Sequence, residues 1–371
     1  MLSRPSPTAV PTPERHWLDT AAALATTFAG TVADDDRDAR LPVEHLRALH
    51  ESGLDAAFLP RSSGGEELSY ATLGAVVRTI AAAHPAVATV WLMHLGAAHA
   101  LVSQSPAEEA AFFAAELRAG KRFANALSEP AGGNHFLASQ QDAAEAPGGW
   151  TLTGRKVFVS GSEIADHLFL NARVDGAPAF FGVTVDDTVS FPPIEETMGM
   201  RATRSRTIVF DRTPLHQARR CMPPAADYAN LISVGFAFLS IGIATAAIDA
   251  LTAVASRSKS GGRLADAGWV RQETGMAWAE VTAAQLMAER AAWLADQGAP
   301  ETMPAATEAK MLANEVAKRA AALAVRVGGG GGFLLSSPIQ RIFRDAQAGA
   351  LMAYSVPFSA ELVGGWVLDE D

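Results

Sequence analysis

Residues 235–255 read GFAFLSIGIATAAIDALTAVA, a stretch with one charged side chain, Asp249, and no polar face to turn towards water. It is long enough to span a bilayer. Its bulk is Ala, Gly and Ser rather than Leu and Ile, and Asp249 sits within it, so a buried helix in a tightly packed bundle fits it better. With 371 residues, 49% hydrophobic and 19% charged, the chain can surround such a helix with two or three layers or domains. A net charge of -10 and the lack of a long basic run exclude a nucleic-acid partner. The one cysteine, Cys221, forbids an internal disulfide, and no nearby His marks it as a nucleophile. The lead-in MLSRPSPTAVPTPERHW has prolines where a signal peptide needs an apolar core, which predicts a short flexible segment on a soluble, cytoplasmic protein with no membrane partner.

Three regions follow one another. Residues 17–123 have helical periodicity. In LPVEHLRALHESGLDAAFLP a proline opens a helix and Gly53 stops it. Ser69 and Ser105 stand where N-caps belong. Residues 124–215 change character: GWTLTGRKVFVSG, HLFLNARV, APAFFGVTV and RSRTIVFDRTPL are β-branched or aromatic runs punctuated by Gly, Pro and Asp, the pattern of a small β domain. Residues 227–371 return to alanine-rich helical faces. The fold class expected is therefore mainly α with a central β domain.

The run GGGGGF at residues 328–333 is not a dinucleotide fingerprint, because a helix rather than a strand precedes it and Phe333 stands where a third glycine is required. No Lys-Ser/Thr follows it, so it is not a phosphate-binding P-loop either. Five glycines exceed the needs of a helix cap, which leaves close approach to another chain or to a ligand phosphate as a second reading.

Five segments in order resemble the acyl-CoA dehydrogenase family of flavoenzymes over nearly the whole chain. GLDAAFLPRSSGGEELS resembles its turn into a proline and Gly-Gly loop, and ALSEPAGGN its Thr-Glu-Pro-x-x-Gly-Ser-Asp segment. GWTLTGRKVFVSGSEIADHLFLNARV is similar to the strand pair against the flavin. MGMRATRSRTIVFDRTPL is similar to the segment closing the β domain, and AVRVGGGGGFLLSSPIQRIFRDA to the late glycine turn and Arg-Asp helix. The resemblance implies an N-terminal helical domain, a middle β-barrel-like domain and a C-terminal four-helix bundle. Flavin would lie between the last two, in a homotetramer or homodimer. It implies that Leu127 and Ser128 meet the flavin's pyrimidine edge, that Ser160 sits near N5 and that Phe158 covers a ring face. Arg257 would face the diphosphate, Arg326, Gly329 and Gly330 would reach the adenylate end from a neighbouring subunit, and Ser355 would replace a flavin-contacting Thr. Asn134 and His135 stand where Ser and Asp are usual.

Dehydrogenation of an acyl thioester removes an α-proton as hydride leaves the β-carbon. A positioned carboxylate base typically contributes about 10²–10⁴-fold to such a step. The resemblance puts that base seven residues beyond Arg-Asp-Ala, where this chain has Ala353. The other familiar site, on the first helix of the bundle, offers only Asp249, displaced along the helix, with Ser233 at the accompanying arginine position. RSKSG has Ser260 in place of Phe, and Gly268 replaces Gln, so the adenine end of the cofactor pocket is altered. FAD remains the first cofactor, with FMN or free reduced flavin second.

His94 with Phe158, Ser160 and Gly161 resembles the monooxygenase-like branch of the family, and His94 is also open to reading as a satisfied core histidine. His94 and His99, five apart, point about 140° from each other on a helix, so a shared metal is excluded. His135 is a further acid-base candidate, and Glu129 is read as structural. Three functions follow: dehydrogenation of an acyl thioester carried on CoA or a carrier protein, with an electron acceptor as partner; flavin-dependent oxygenation with a flavin reductase as partner; or a thioester-binding scaffold without turnover.

Overall fold

The apolar run at residues 235–255 lies within the helix Leu231–Ala255, which other helices enclose on nearly every side. In the computed structural model, residues 10–224, 228–259 and 262–368 are described. The first nine residues of the lead-in, Asp227 at the start of the third region, and Ser260 fall outside them.

Seven helices open the chain: α1 (Arg15–Phe28), α2 (Val32–Arg37), α3 (Val43–Glu51), α4 (Leu54–Ala57), α5 (Tyr70–Ala83), α6 (Pro85–Gln104) and α7 (Ala107–Arg118). Strands β1 (Phe123–Ala126), β2 (Ala143–Ala146), β3 (Gly149–Val159), β4 (His167–Val174), β5 (Ala177–Thr184), β6 (Val189–Ser190) and β7 (Arg206–His216) follow. Next come α8 (Leu231–Ala255), the short hairpin β8 (Ser258–Lys259) and β9 (Gly262–Arg263), α9 (Gly268–Asp296), α10 (Thr302–Gly332), α11 (Pro338–Ala348) and α12 (Val356–Leu368).

Helix α8 starts cleanly because the Asn230 carboxamide oxygen accepts from the Ile232 N–H at 2.8 Å. It packs on α5, α6, α9 and α10. Its Phe236, Phe238, Leu239, Ile241 and Leu251 are each at most 5% exposed, and full burial of such a side chain stabilises by about 1.5–3 kcal/mol. The small residues permit this contact: a methyl added at Gly242 would stand 2.7 Å from the Arg78 carbonyl oxygen of α5. Both α6 and α8 are long and apolar enough to cross a bilayer by length and composition, yet most of each is buried inside the molecule.

The β region forms two sheets. In one, β4 is flanked by β1, parallel, and β5, antiparallel; in the other, the order is β2-β3-β7-β6 with antiparallel pairing. The four longest strands coincide with the β-branched and aromatic runs. Strands β1 and β2 (FANA and AAEA) have no such signature, and pairing with β4 and β3 makes them extended.

One local expectation is corrected. Ser69 caps α5, accepting from the Thr72 N–H at 3.1 Å, but Ser105 does not cap α7. The residue before α7 is Pro106, and Ser105 ends α6 with its hydroxyl buried. The glycine run interrupts α10 at Gly329 (φ +55, ψ -147), a conformation open to glycine, and a short helical segment follows to Gly332 before Phe333.

The motifs noted in the sequence meet in pairs. Glu129 receives the Lys156 ammonium at 2.7 Å, and that ammonium also donates to the Asn171 side-chain oxygen at 2.7 Å, with Lys156 fully buried. Burial alone would raise the Glu129 carboxyl, but Lys156, Ser139 and the Gln140 N–H outweigh it and hold it below the usual range. Asp345, ion-paired with Arg341 at 3.1 Å, accepts from the Met200 N–H at 2.6 Å, which ties the Arg-Asp helix to the end of the β region. Arg344 completes the junction through Asp36 of α2 and the Met198 carbonyl.

Removing one partner of a buried ion pair leaves the other uncompensated. Lys156→Met is therefore expected to cost about 3–5 kcal/mol in urea denaturation. Lys121→Met, at an exposed pair with Asp166, should shift the same measurement far less, because solvent screens that pair.

Candidate active site

The site begins with an irregularity in β3. Its pairing with β7 slips between Lys156 and Val159, and Phe158 there adopts φ +56. A bulge of this kind turns a side chain out of the sheet's alternation. Phe158 is left 71% exposed, beside a cavity of about 1890 Å³ between the sheets and the bundle. Met200 and Ala353, at φ +53 and +54, also line this cavity. Non-glycine residues hold such conformations only when their surroundings impose them, and they concentrate at functional sites.

Hydroxyls on the β side form a directed chain. The Thr203 hydroxyl donates to the Met200 carbonyl at 2.8 Å and lies 2.9 Å from Ser205 Oγ, which lies 2.8 Å from Ser160 Oγ. Thr203 has one proton and spends it on Met200, so Ser205 must donate to Thr203 and Ser160 to Ser205. Ser160 consequently keeps lone pairs for the cavity and accepts there. Leu127 and Ser128 line the same wall, with the Ser128 carbonyl taken by the Val157 N–H at 2.9 Å.

The opposite wall comes from α8, α10 and the segment joining α11 to α12. Ser233 and Phe236 face in from α8, and Ala353 and Tyr354 from the joining segment. Asn134 lines the cavity from the β region, but its side-chain oxygen is engaged by the Ser355 N–H at 2.8 Å, so Asn134 and Ser355 fasten the two walls together.

His94, expected at the chemistry, is not on the cavity surface. It is 1% exposed; its Nδ1 accepts from the Phe123 N–H at 3.0 Å, and its Nε2 faces Asp55 Oδ2 at 3.3 Å. With Nδ1 accepting, the ring proton is on Nε2. Burial, then the Arg122 guanidinium, push the imidazole below its usual range, so it stays neutral. Asp55 also takes Trp91 Nε1 at 2.8 Å and Arg122 at 2.6 Å, which makes His94 part of a buried polar knot under β1. The geometry favours the core reading of His94, with Nδ1 bonded and Nε2 beside Asp55 without a hydrogen bond of good geometry. His135 is exposed with its ring against Phe358, and Asp249 is exposed on α8; neither lines the cavity.

Arg257, Arg326, Gly329 and Gly330 do not converge on the cavity within one chain. All four are exposed, and Arg326 pairs with Glu273 at 2.8 Å and lies over the Trp269 ring.

Sequence reasoning missed Lys310. This α10 residue lines the cavity at 6% exposure, donates to the Tyr354 carbonyl at 2.7 Å, and is pushed down to about 8 by burial. The signal in the sequence was faint: Lys310 is one of two lysines in the alanine-rich stretch TEAKMLANEVAKRAAALAV, and nothing local separates it from the surface Lys318. Cys221 also lines the cavity, with burial pushing its thiol up to about 12, so it is no thiolate at neutral pH.

The cavity can take a flavin's ring system together with a second, smaller group. Its walls fit a flavin: an aromatic ring turned out on a bulge, a hydroxyl acceptor, and peptide groups at the edge.

Two outcomes are expected. His94→Ala should lower stability by about 1–3 kcal/mol through the orphaned Phe123 N–H alone, with flavin content unchanged. Lys310 titrates lower in the folded chain than unfolded, so its contribution is full above the unfolded value and declines as pH falls through 8. The stability of wild type relative to Lys310→Met should fall by about 3 kcal/mol between about pH 10 and pH 7, in urea melts.

Comparison with known proteins agrees with this architecture. Models of the acyl-CoA dehydrogenase N-terminal, middle and C-terminal domains match residues 12–121, 124–213 and 233–353. A 3-(aryl)acrylate reductase of Clostridium sporogenes is 26% identical over 86% of this chain and 89% of its own. The solved structure of butyryl-CoA dehydrogenase from Megasphaera elsdenii superposes with a TM-score of 0.89 at 21% identity, covering 99% of this chain and 100% of that one. FMN-bound TdsC from Paenibacillus sp. A11-2 gives 0.85 at 22% identity, covering 95% and 97%. With all three domain models matched in order around one cavity, the chain belongs to the acyl-CoA dehydrogenase family of flavoproteins.

Proposed function

We propose that this protein is a flavin-dependent oxidoreductase acting on CH–CH bonds, and that it oxidises an acyl thioester to its α,β-unsaturated form. The observation that carries the reading is the cavity itself, with Phe158 and Ser160 on one wall facing the Ala353 segment on the other. Bound FAD supplies a two-electron acceptor there. Phe158 would cover one ring face, the peptides at Leu127 and Ser128 would meet the pyrimidine edge, and the open lone pairs of Ser160 suit an N–H of the reduced ring. On the bundle side, the backbone N–H of Ala353 has no acceptor among the described residues and would hold the thioester carbonyl.

Proton removal is where this chain differs. Ala353 provides no base, and His94, His135 and Asp249 lie off the cavity surface. Glu129 and the exposed Glu195 line it from the β side, Glu129 bound to Lys156, and among the described residues no carboxylate lines it from the Ala353 wall. The reaction therefore suits a substrate whose α-proton is already acidic, with the carbonyl polarised by the Ala353 peptide. The exposed glycines at the α10 kink and Arg326 would approach the flavin of a neighbouring copy in a homotetramer or homodimer. The acyl group would be carried on CoA or a carrier protein, electrons would leave to a separate acceptor, and the enzyme would work in the cytoplasm.

The missing carboxylate also supports a second reading, a monooxygenase using oxygen and reduced FAD or FMN delivered by a reductase. FMN is the flavin in the TdsC structure. The two readings separate in one anaerobic experiment, in which the flavin-loaded protein is mixed with acyl-CoA and acyl-carrier thioesters while flavin absorbance is followed. Bleaching is expected, and Ala353→Glu should accelerate it by at least about tenfold, within the range of a positioned base. No bleaching with any thioester, but a hydroxylated product after chemical reduction and re-aeration, would establish the oxygenase instead.

A further inference from the structure

Lys310 carries a positive charge into a wall where no carboxylate meets it among the described residues. Its ammonium donates to the carbonyl oxygens of Tyr354 at 2.7 Å and Gly349 at 3.4 Å. Gly349 caps the C-terminus of α11, where a cation also meets the negative end of the helix dipole. Burial lowers the ammonium only to about 8, so most of it is charged at neutral pH.

The same carbonyl of Gly349 accepts from Asn314 Nδ2 at 2.8 Å, and Asn314 is held in turn by Ser240 Oγ at 2.6 Å. A methyl at Gly349 would meet Asn314 Oδ1 at 2.6 Å and Ser240 Oγ at 2.8 Å, so this contact excludes every larger residue. From the far side, Asn134 holds the Ser355 N–H. Between these ties lies Ala353 in its left-handed conformation, with its own N–H and that of Tyr354 lacking acceptors among the described residues. Lys310 is the tie closest to it in sequence from the bundle side, since it grips the residue immediately after Ala353.

We propose that Lys310 is a positioning residue, gathering the Gly349 and Tyr354 carbonyls so that the Ala353 peptide is fixed at the cavity wall as a donor to the substrate carbonyl. Its catalytic consequence rests on the dehydrogenase reading above; the structural clamp does not. A donor fixed in advance acts on the charge that builds in the transition state, so loosening it lowers the limiting rate more than it weakens substrate binding.

The test compares hydrogen exchange and flavin-reduction kinetics in flavin-loaded wild type, Lys310→Met, Lys310→Arg and Lys318→Met. Lys318 is a control on the same helix, paired at the surface with Glu315. Lys310→Met should exchange at least about tenfold faster in peptides covering residues 349–356, with α8 and the rest of α10 protected as before. Its limiting rate of flavin reduction by a thioester should fall at least about tenfold, with the half-saturating concentration changed by less than about threefold. Lys310→Arg should recover most of the protection, and Lys318→Met should match wild type. Unchanged protection at residues 349–356 in Lys310→Met would overturn the clamp, as would a loss spread evenly over α8, α10 and α11. If no thioester reduces the wild-type flavin, the dehydrogenase reading fails, and the exchange comparison still decides the clamp.

Discussion

Burial of α8 is the constraint on which the rest of the structure depends. A helix this apolar has no stable place at a water interface, so α5, α6, α9 and α10 must cover it. Close coverage requires small residues, and the one at Gly242 lets two helix backbones approach within van der Waals contact. Ser233 and Phe236, near the start of α8, thereby become one wall of the cavity. The site is where the bundle's most buried helix leaves the shelter of its neighbours and meets the sheets.

Polar contacts then set the walls relative to each other, and most of them join segments far apart in sequence. Met200 to Asp345, Ser355 to Asn134 and Lys310 to Tyr354 each bridge a different pair of elements. Buried polar groups require partners in a medium of low dielectric constant, so each bridge is specific in geometry as well as favourable. Strain is held nearby: Met200 and Ala353, beside these ties, and Phe158, at the β3 bulge, all line the cavity in left-handed backbone conformations. In the proposed reading the peptide at Ala353 is the group that this rigidity serves.

Much of this was legible in the chain. The four long strands were legible as β-branched and aromatic runs between turn residues, and the bundle helices as alanine-rich helical faces, because composition and spacing are local properties. Phe158 and Ser160 were found by their motif and do line one cavity. Strands β1 and β2 were not legible, since FANA and AAEA become extended only by pairing with neighbours. Ser105 resembled a cap because its sequence context resembles that of Ser69, but Pro106 takes the position before α7. His94 was the largest divergence: a histidine on an apolar helix looks the same in sequence whether it faces a cavity or Asp55.

The sequence by itself determined the helical-β-helical order, the buried α8, the absence of a glutamate at position 353 and the family resemblance. These rest on residue type and spacing along one stretch of chain. Tertiary structure decided which side chains share the cavity, that His94 is neutral and enclosed, which way the Ser160 hydroxyl points, and that Lys310 grips the segment carrying Ala353. The physical reason is that solvation and hydrogen-bond partners belong to three-dimensional neighbourhoods. The charge, tautomer and donor direction of a side chain follow from those neighbours rather than from its place in the sequence.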